Sequence, residues 1–334
     1  VLFLFPGHVV DYFEKIASEN KGVNLNAIVN SIARYMFAEF QFDKIPIEEL
    51  HLSSDDLDSL RNLLDNNLII SRSVHAGTGI TEHEEEYVYF VFDELRDFCL
   101  ARYLLTLDEH NSSSEYTAFF SNVTKLFEQR LSPVEGMVKY AYHHFRMTAR
   151  DDLCDKLLKA FGESDVQSIL NWEKRGMYRK RTFNNFGFSL IFSEGDNTAS
   201  FEIDYILHCV ENDCRYYWEI FWFLLGNEYS GFKPNIHLAV DVLQRCENDE
   251  IPEKILEYFF NDSTKKYNSY SNRKRRVDNL KEWLDAIKKN NGPLSENLKI
   301  IVTILAAYDP MEFALEEYHD FVLDHRCWST YLRC

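Results

Sequence analysis

Residues 87–105, YVYFVFDELRDFCLARYLL, form the stretch that decides the fold. The first six residues are β-branched or aromatic, a pattern typical of a strand that is apolar on both faces and lies in an interior. Asp93 ends this run, and its carboxylate is expected to cap a following helix. Asp93, Glu94 and Asp97 suit the positive end of that helix dipole. Apolar side chains recur in the helix at three- and four-residue spacing; they are Leu95, Phe98, Cys99, Tyr103 and Leu105.

A helix is predicted at 11–18, and two more helices follow it upstream of residues 87–105. The first of these two is capped by Asn24 and extends to about Met36. Pro46 then opens a short element, and Ser53 or Ser54 caps the second helix. The buried stripe of the second helix is expected to be Leu57, Leu60 and Leu64.

A hairpin with a long tip is predicted between the second helix and residues 87–105. A strand at 68–71 is followed by a polar loop at 74–86 and by the returning strand at 87–92. The order of helix, short element, helix, hairpin and helix predicts a winged-helix domain over residues 23–107. Residues 1–22 are then the end of a preceding segment.

After Thr106 the pattern predicts helices alone, separated by short polar or proline-containing joints. These helices favour antiparallel hairpins stacked into an α-solenoid of TPR or HEAT type over residues 108–334, and a compact bundle is the competing arrangement. One exception is 182–192, which we expect to be an irregular aromatic plug or a short strand. The expected helices are 114–129, 133–148, 151–161, 165–173, 200–210, 214–225, 234–246, 252–260, 276–290, 295–308 and 310–323.

Composition limits the classes of function. A chain of 334 residues exceeds the usual size of one compact core, so two or more modules are expected. A net charge of −18 opposes binding to phosphate backbones and to anionic lipid. Seven cysteines without repeated spacing indicate reduced core thiols in the cytoplasm. No apolar run reaches the length of a membrane span. Because the chain opens at Val1 and ends at Cys334, we expect a piece of a larger protein.

Catalytic and cofactor motifs are not recognised in the sequence. A phosphate-binding loop needs glycines ahead of a lysine, and none of the 12 glycines is followed by Lys. His208, Cys209 and Cys214 come nearest to a zinc set, but no second pair completes a tetrahedron. The sequence therefore predicts no catalysis, no cofactor and no metal in this chain.

The predicted winged helix is poorly suited to DNA. A helix at 53–65 would enter the major groove, yet it carries four aspartates, Asp55, Asp56, Asp58 and Asp65, against one Arg61. The hairpin tip adds further carboxylates. These charges repel phosphates, so direct nucleic-acid binding is disfavoured and the domain is expected to press against protein.

Two basic clusters interrupt the acidic background. Each is either a solvated helix end or a contact surface for an acidic partner. The clusters are Lys174, Arg175, Arg179, Lys180 and Arg181, and Arg273, Lys274, Arg275 and Arg276.

The stretch FVFDELRDFCLARYL resembles the end of the winged-helix module of STAND NTPases, a group that includes NACHT proteins and bacterial antiviral (Avs) sensors. Residues 25–36 and 57–70 are similar to the preceding helices and strand of that module. Phe92 stands where many NACHT proteins have a phosphate-sensing His, so that contact is not expected here. The positions that carry the resemblance are Phe90, Asp97, Phe98, Ala101, Tyr103 and Leu104.

The resemblance implies a division of labour in a larger protein. The ATPase core, with its ATP and Mg²⁺, and an effector would lie upstream, and residues 1–22 would end the ATPase-associated segment. The helices after 107 would recognise a phage structural or packaging protein, and the parent would then oligomerise. A helical-repeat scaffold without any ATPase and a winged-helix nucleic-acid regulator are the alternatives.

The same resemblance identifies the residues expected at the switch. These residues are expected to hold the winged-helix domain against its neighbours, with Leu95 in the core. The alternative is that they pack in the interior and have no further role. Arg96 instead bridges to the ATPase core in the alternative interpretation. The switch residues are Phe90, Phe92, Asp93, Glu94, Leu95 and Arg96.

Overall fold

The structure is a computed structural model that divides into two compact units, Val1–Ser193 and Glu194–Cys334. The described residues form eleven α-helices and one small three-stranded sheet, so the protein is mainly helical, as predicted. The residues that the structure describes are 6–19, 25–76, 83–129, 131, 133–162, 187, 190–191, 199–212, 236–247, 280–290 and 292–308.

The first unit begins with two helices and a sheet. Helix α1 is Pro6–Glu19 and helix α2 is Leu25–Glu39. Strand β1, Ile45–Pro46, leads through a 3₁₀ turn, Glu48–Leu50, to helix α3, Ser54–Asp65. Strands β2, Ile69–Ala76, and β3, His83–Phe90, complete an antiparallel sheet of order β1-β3-β2.

Helix α3 begins with a capping box. The Asp56 amide donates to Ser53 Oγ over 3.2 Å, and the Ser53 amide donates to Asp56 Oδ2 over 3.1 Å. Ser53 is therefore the cap, one of the two serines predicted. The predicted stripe is wrong at Leu57, which is 40% exposed, because the face turned inward carries Leu60 and Leu63.

The hairpin is longer and its loop shorter than the sequence predicts. Both strands have eight residues, and the pairing continues to Ala76 and His83, inside the predicted loop at 74–86. Alternation places Ile45, Ile69 and Val88 on one buried face, so apolar residues fix the register although the distal half is polar. Strand β3 is the central strand, as its apolar composition predicts.

Strand β1, which ends at Pro46, forms one edge of the sheet. The Ile47 amide donates to the Glu86 carbonyl over 2.9 Å, which makes Pro46 and Tyr87 a pair without ladder hydrogen bonds. The nitrogen of Pro46 therefore points away from β3, where a proline costs no hydrogen bond.

Helix α4, Asp93–His110, is the centre of the first unit. It contacts α1, α2, β3 and the two helices that follow it, so that Leu95–Leu105 is buried on nearly all sides and the predicted single apolar stripe is wrong. The predicted cap is also wrong. Phe92 is the N-cap, Asp93 is the first helical residue, and no side chain caps the helix. Because α4 continues to His110, the predicted domain boundary at 107/108 falls inside a helix.

Three more helices complete the described part of the first unit. Helix α5 is Thr117–Glu128, α6 is Pro133–Met147, and α7 is Asp151–Leu157, which continues as a π-helical turn, Leu158–Gly162. Consecutive helices contact one another, and α4 also packs against α6. These bounds match the predicted helices at 114–129, 133–148 and 151–161.

Asp108 joins α4 to α5. Its carboxylate is 2% exposed and accepts the amides of Ala118 and Phe119 over 2.9 and 2.7 Å. These are among the first amides of α5, which have no partner inside the helix. A side chain of α4 thus caps α5 and fixes the angle between the two helices.

The second unit contains four described helices. They are α8, Ser200–Asn212; α9, Ile236–Arg245; α10, Leu280–Lys288; and α11, Glu296–Tyr308. Helix α9 contacts the other three. The buried Asn297 amide donates to the carbonyls of Leu243 and Cys246, which ties α11 to the end of α9. All four correspond to predicted helices.

Some predicted segments have a different outcome. At 182–192 the described residues Gly187, Leu190 and Ile191 are helical and buried, so a strand is not found at these three residues, and the aromatic residues of the predicted plug lie outside the described residues. The predicted helices at 165–173, 214–225, 252–260 and 310–323 lie outside the described residues.

Replacement of Leu95 by alanine tests the central position of α4. Leu95 is 1% exposed, so Leu95→Ala should lower the free energy of unfolding by about 2–5 kcal/mol through lost burial and a cavity. Val91, which is 41% exposed, is the control, and Val91→Ala should cost under about 1 kcal/mol. Urea unfolding followed by circular dichroism measures both. Equal costs would contradict the central role of α4.

Candidate regulatory site at the start of α4

The six predicted switch residues lie together where β3 enters α4. Phe90 ends β3 opposite Ile69 and is half-buried. The half-buried ring of Phe92 lies 6.4 Å from that of Tyr12 in α1. Asp93 is exposed, Glu94 is half-buried, and Leu95 and Arg96 are buried. The site therefore joins the sheet to α1 and α4.

Arg96 is the centre of an ion-pair cluster. Its Nε and Nη2 donate to Asp97 Oδ1 over 2.9 and 2.8 Å, and its Nη1 donates to Asp93 Oδ1 over 3.0 Å. Asp43, in the segment after α2, lies 3.9 Å from the same Nη1. The Arg96 side chain is 5% exposed, whereas those of Asp43 and Asp93 are mostly exposed. The cluster thus links the chain after α2 to the first turn of α4 through one buried cation.

This placement bears on the two expectations for Arg96. Its guanidinium is engaged by carboxylates that lie within residues 23–107 themselves, so both expectations stay predictions. A bridge from Arg96 to another domain would compete with the carboxylates of Asp43, Asp93 and Asp97 for the N–H groups of its guanidinium.

Asp97 is the buried acid of the cluster. Burial raises the pKa of Asp97 from its ordinary value of 3.8 to about 8, against the opposing effect of Arg96. Burial and then the negative charge of Asp97 raise the pKa of the neighbouring Tyr140 hydroxyl. Between about pH 4 and pH 8 the folded chain therefore keeps a proton on Asp97 that the unfolded chain has lost.

Gly136 in α6 makes the burial of Asp97 possible. A Cβ atom at position 136 would lie 2.2 Å from Asp97 Oδ2 and 2.4 Å from Asp97 Cβ. Both distances are far below van der Waals contact. Helices α4 and α6 thus approach each other at a point where α6 has no side chain, and the buried carboxyl occupies that space.

Aromatic rings surround the cluster on the α1 and α6 sides. Phe98 lies 5.6 Å from Phe13 of α1 and 5.1 Å from Tyr140 of α6, both edge to face. The guanidinium of Arg102 lies 5.1 Å from the Phe13 ring and 3.4 Å from the Glu14 carboxylate. Helices α1, α4 and α6 therefore form one packed group, with the charges at the end next to the sheet.

Sequence reasoning found part of this site. It identified Arg96 and Leu95 but assigned Asp97 to the helix dipole and did not single out Asp43 or Gly136. A glycine in the first turn of a predicted helix was the available signal, because glycine is unfavourable in a helix and close packing is one reason for it. The clusters at 174–181 and 273–276 lie outside the described residues.

The arrangement supports conformational coupling better than chemistry. Its acids are paired with Arg96 or buried, and it contains no nucleophile beside a base. No group of three or more His, Cys, Asp or Glu that could hold a metal ion occurs in the described ranges. Of the candidate zinc residues, His208 is exposed on α8, and the side chains of Cys209 and Cys214 lie outside the described part. The absence of a cofactor stays a prediction.

Replacement of Gly136 tests the contact between α4 and α6. Gly136→Ala should lower the free energy of unfolding by about 1–3 kcal/mol because the new methyl group meets the Cβ of Asp97. The cost should persist when Asp97 is also changed to alanine, since that Cβ remains. Gly292→Ala is the matched control, because nothing lies within 4 Å of the added atom. Thermal unfolding measures all of them, and a neutral Gly136→Ala would contradict the packing.

The pH dependence of stability tests the buried acid. Since the folded pKa of Asp97 lies above the unfolded value, its contribution to stability falls as pH rises from about 4 to about 8, with a slope of at most about 1.4 kcal/mol per pH unit. Asp97→Asn should flatten this slope in urea titrations between about pH 5 and pH 8. Asp65→Asn, at an exposed site, should keep the wild-type slope. An unchanged slope in Asp97→Asn would refute the buried titration.

Comparison of the chain with models of protein families, with curated proteins and with solved structures found no match. None of the helices in the described ranges combines the length and the apolar character that crossing a lipid bilayer requires.

Proposed function

We propose that this chain is a regulatory and ligand-sensing part of a cytoplasmic STAND NTPase of antiphage defence. In this proposal a winged-helix domain at 23–107 transmits ligand binding by the helices after 107 to an ATPase domain elsewhere in the parent protein. The chain itself is not an enzyme. ATP and Mg²⁺ belong to the ATPase domain, and the parent oligomerises on activation.

The topology of the first unit supports the winged-helix assignment. The order α2, β1, a 3₁₀ turn, α3, β2 and β3 is that expected for a winged helix, with the 3₁₀ turn in place of its second helix. Strand β1 pairs with β3 and not with β2, and α3 contacts β2, an arrangement that supports the assignment. This likeness concerns fold alone.

The observation that carries the functional proposal is the double attachment of α4. At one end Arg96 and Asp97 join it to the segment after α2 and to α6. At the other end Asp108 caps α5. A displacement of the helices after 107 would therefore act on the winged helix through one rigid element. Such a linkage is the physical requirement of a switch between two states.

The surface of α3 supports a protein partner over DNA. The side chain of Asp58 is 72% exposed, and its one hydrogen-bonded cation, Arg61, lies on the same helix. The remaining described charge on the exposed face of α3 is negative. A helix of this charge would be repelled by the phosphates on both sides of a major groove.

Binding of phage proteins tests the proposal. The purified chain is titrated with phage terminase and portal proteins by calorimetry, and one of them should bind with a Kd of about 1 µM or tighter. Hydrogen exchange of the complex should show protection in the helices after 107 and altered exchange at the start of α4. Asp108→Asn should keep binding and lose the effect on α4, because it weakens the link to α5.

Two results would favour one of the alternative functions. Salt-sensitive binding of a DNA duplex of about 20 base pairs would favour the nucleic-acid regulator. A parent gene that encodes no G-x-x-x-x-G-K-[ST] motif would favour the helical-repeat scaffold without an ATPase. Each outcome is independent of whether a phage ligand has been found.

A further inference from the structure

We infer that the outer face of the three-stranded sheet binds an acidic segment of a partner protein in an extended conformation. This face is opposite to the one that packs on the helices. The inference does not depend on the proposed function, since it rests on the sheet alone. Six side chains define the outer sheet face: Lys44, Ile70, Arg72, Val74, Tyr87 and Tyr89.

The strand register places these side chains together. Arg72 lies opposite Tyr87 and Ile70 lies opposite Tyr89, so all four share one face of the β2-β3 ladder. Val74, two residues beyond Arg72, extends the same row. On the other side of β3, Lys44 immediately precedes β1 and its ammonium lies 4.7 Å from the centre of the Tyr87 ring.

Two cations lie over tyrosine rings on this face. The Arg72 guanidinium is 5.6 Å from the Tyr89 ring, and the Lys44 ammonium covers Tyr87. Neither cation has a carboxylate within ion-pair distance in the described residues. Most other described cations, such as Arg61, Lys159 and Arg245, have such a partner. In a chain of net charge −18, these two cations, one on each side of β3, form a local site for negative charge.

Two of the three described glutamates of the hairpin lie on the other face of the sheet. Glu84 and Glu86 alternate to the opposite face, where they approach His75 and Ser71. Glu85 shares the outer face, and its carboxylate accepts a hydrogen bond from the Tyr87 hydroxyl, which raises the pKa of Tyr87. The strand period thus turns Glu84 and Glu86 away from the outer face, and Glu85 stays on it as the hydrogen-bond acceptor of Tyr87.

The apolar side chains of the face favour a peptide over a free anion. Ile70 is 36% exposed and Val74 is 44% exposed, both on the strand that carries Arg72. Tyrosine and arginine beside exposed aliphatic side chains are the composition of energetically important interface positions. An extended segment that presents carboxylates to Arg72 and Lys44 and an apolar side chain to Ile70 complements all three kinds of group.

The side chains of the outer sheet face also favour a peptide over single-stranded nucleic acid. Single-stranded nucleic acid requires aromatic rings whose faces are open to stacking bases. Here Tyr87 is only 9% exposed and its face is covered by Lys44, while Arg72 covers Tyr89. The charged groups are therefore presented outward and the rings support them from beneath.

Fluorescence anisotropy with a defined peptide tests the inference. The probe is a fluorescein-labelled peptide of about ten residues that alternates Glu and Val, so that its carboxylates share one face of a strand. The full chain should bind this peptide, and the combined change Lys44→Gln and Arg72→Gln should raise the Kd by about tenfold or more. A peptide that alternates Lys and Val should not bind.

The control removes the same charge elsewhere. Arg61→Gln combined with Lys159→Gln takes away two exposed cations that already have carboxylate partners, and the Kd should stay within about twofold. Circular dichroism confirms that both double variants fold. Equal losses in the two double variants, or no binding of the Glu-Val peptide at about 1 mM, would overturn the inference. Binding of oligothymidine that depends on Arg72 and Lys44 would also overturn it, in favour of nucleic acid.

Discussion

The first unit depends on the burial of α4 on almost every side. A helix at the surface needs one apolar stripe, but a helix surrounded by α1, α2, β3, α5 and α6 must satisfy all its faces. Its polar residues Arg96, Asp97 and Asp108 are buried with it, and each is compensated by a specific partner. Because these polar residues are buried, the partners that they require determine where the neighbouring helices and strands lie.

The cluster at Arg96 shows how this constraint extends into α6. Asp97 is accommodated because Gly136 leaves room, and its proton is retained because burial outweighs the attraction of Arg96. With Asp97 protonated, its contact with Arg96 is a pair of hydrogen bonds to a neutral acid, and the contribution of the cluster lies in geometry: it fixes α4 against both α6 and the chain after α2. The aromatic group of Phe13, Phe98 and Tyr140 extends the same contact towards α1.

Features that depend on local chemistry were predicted well from the sequence. The serine that caps α3, predicted as Ser53 or Ser54, and the bounds of α6 follow from nearest neighbours along the chain. The extension of the hairpin was missed because the residues at 83–86, HEEE, have the composition of a loop, although pairing with β2 makes them a strand. At residues 83–86, pairing with β2 outweighs the low strand propensity of the sequence.

The candidate site was predicted only in part for the same reason. A buried Asp97 and an exposed Asp93 are indistinguishable in a sequence, because burial depends on what packs against the helix. Gly136 is informative only once α6 is known to cross α4 at that residue. The exposure of Leu57 depends likewise on which face α3 turns to α2, a choice made by the whole unit.

Pro46 has a consequence for how the sheet associates with other chains. Its nitrogen faces outward and carries no hydrogen, so an incoming backbone finds no donor at that border of the sheet. Among the described strands, β2 is the other border, with eight residues. Strand exchange between molecules can therefore use the β2 border, and pairing through both borders of the sheet is disfavoured because the Pro46 border lacks this backbone donor.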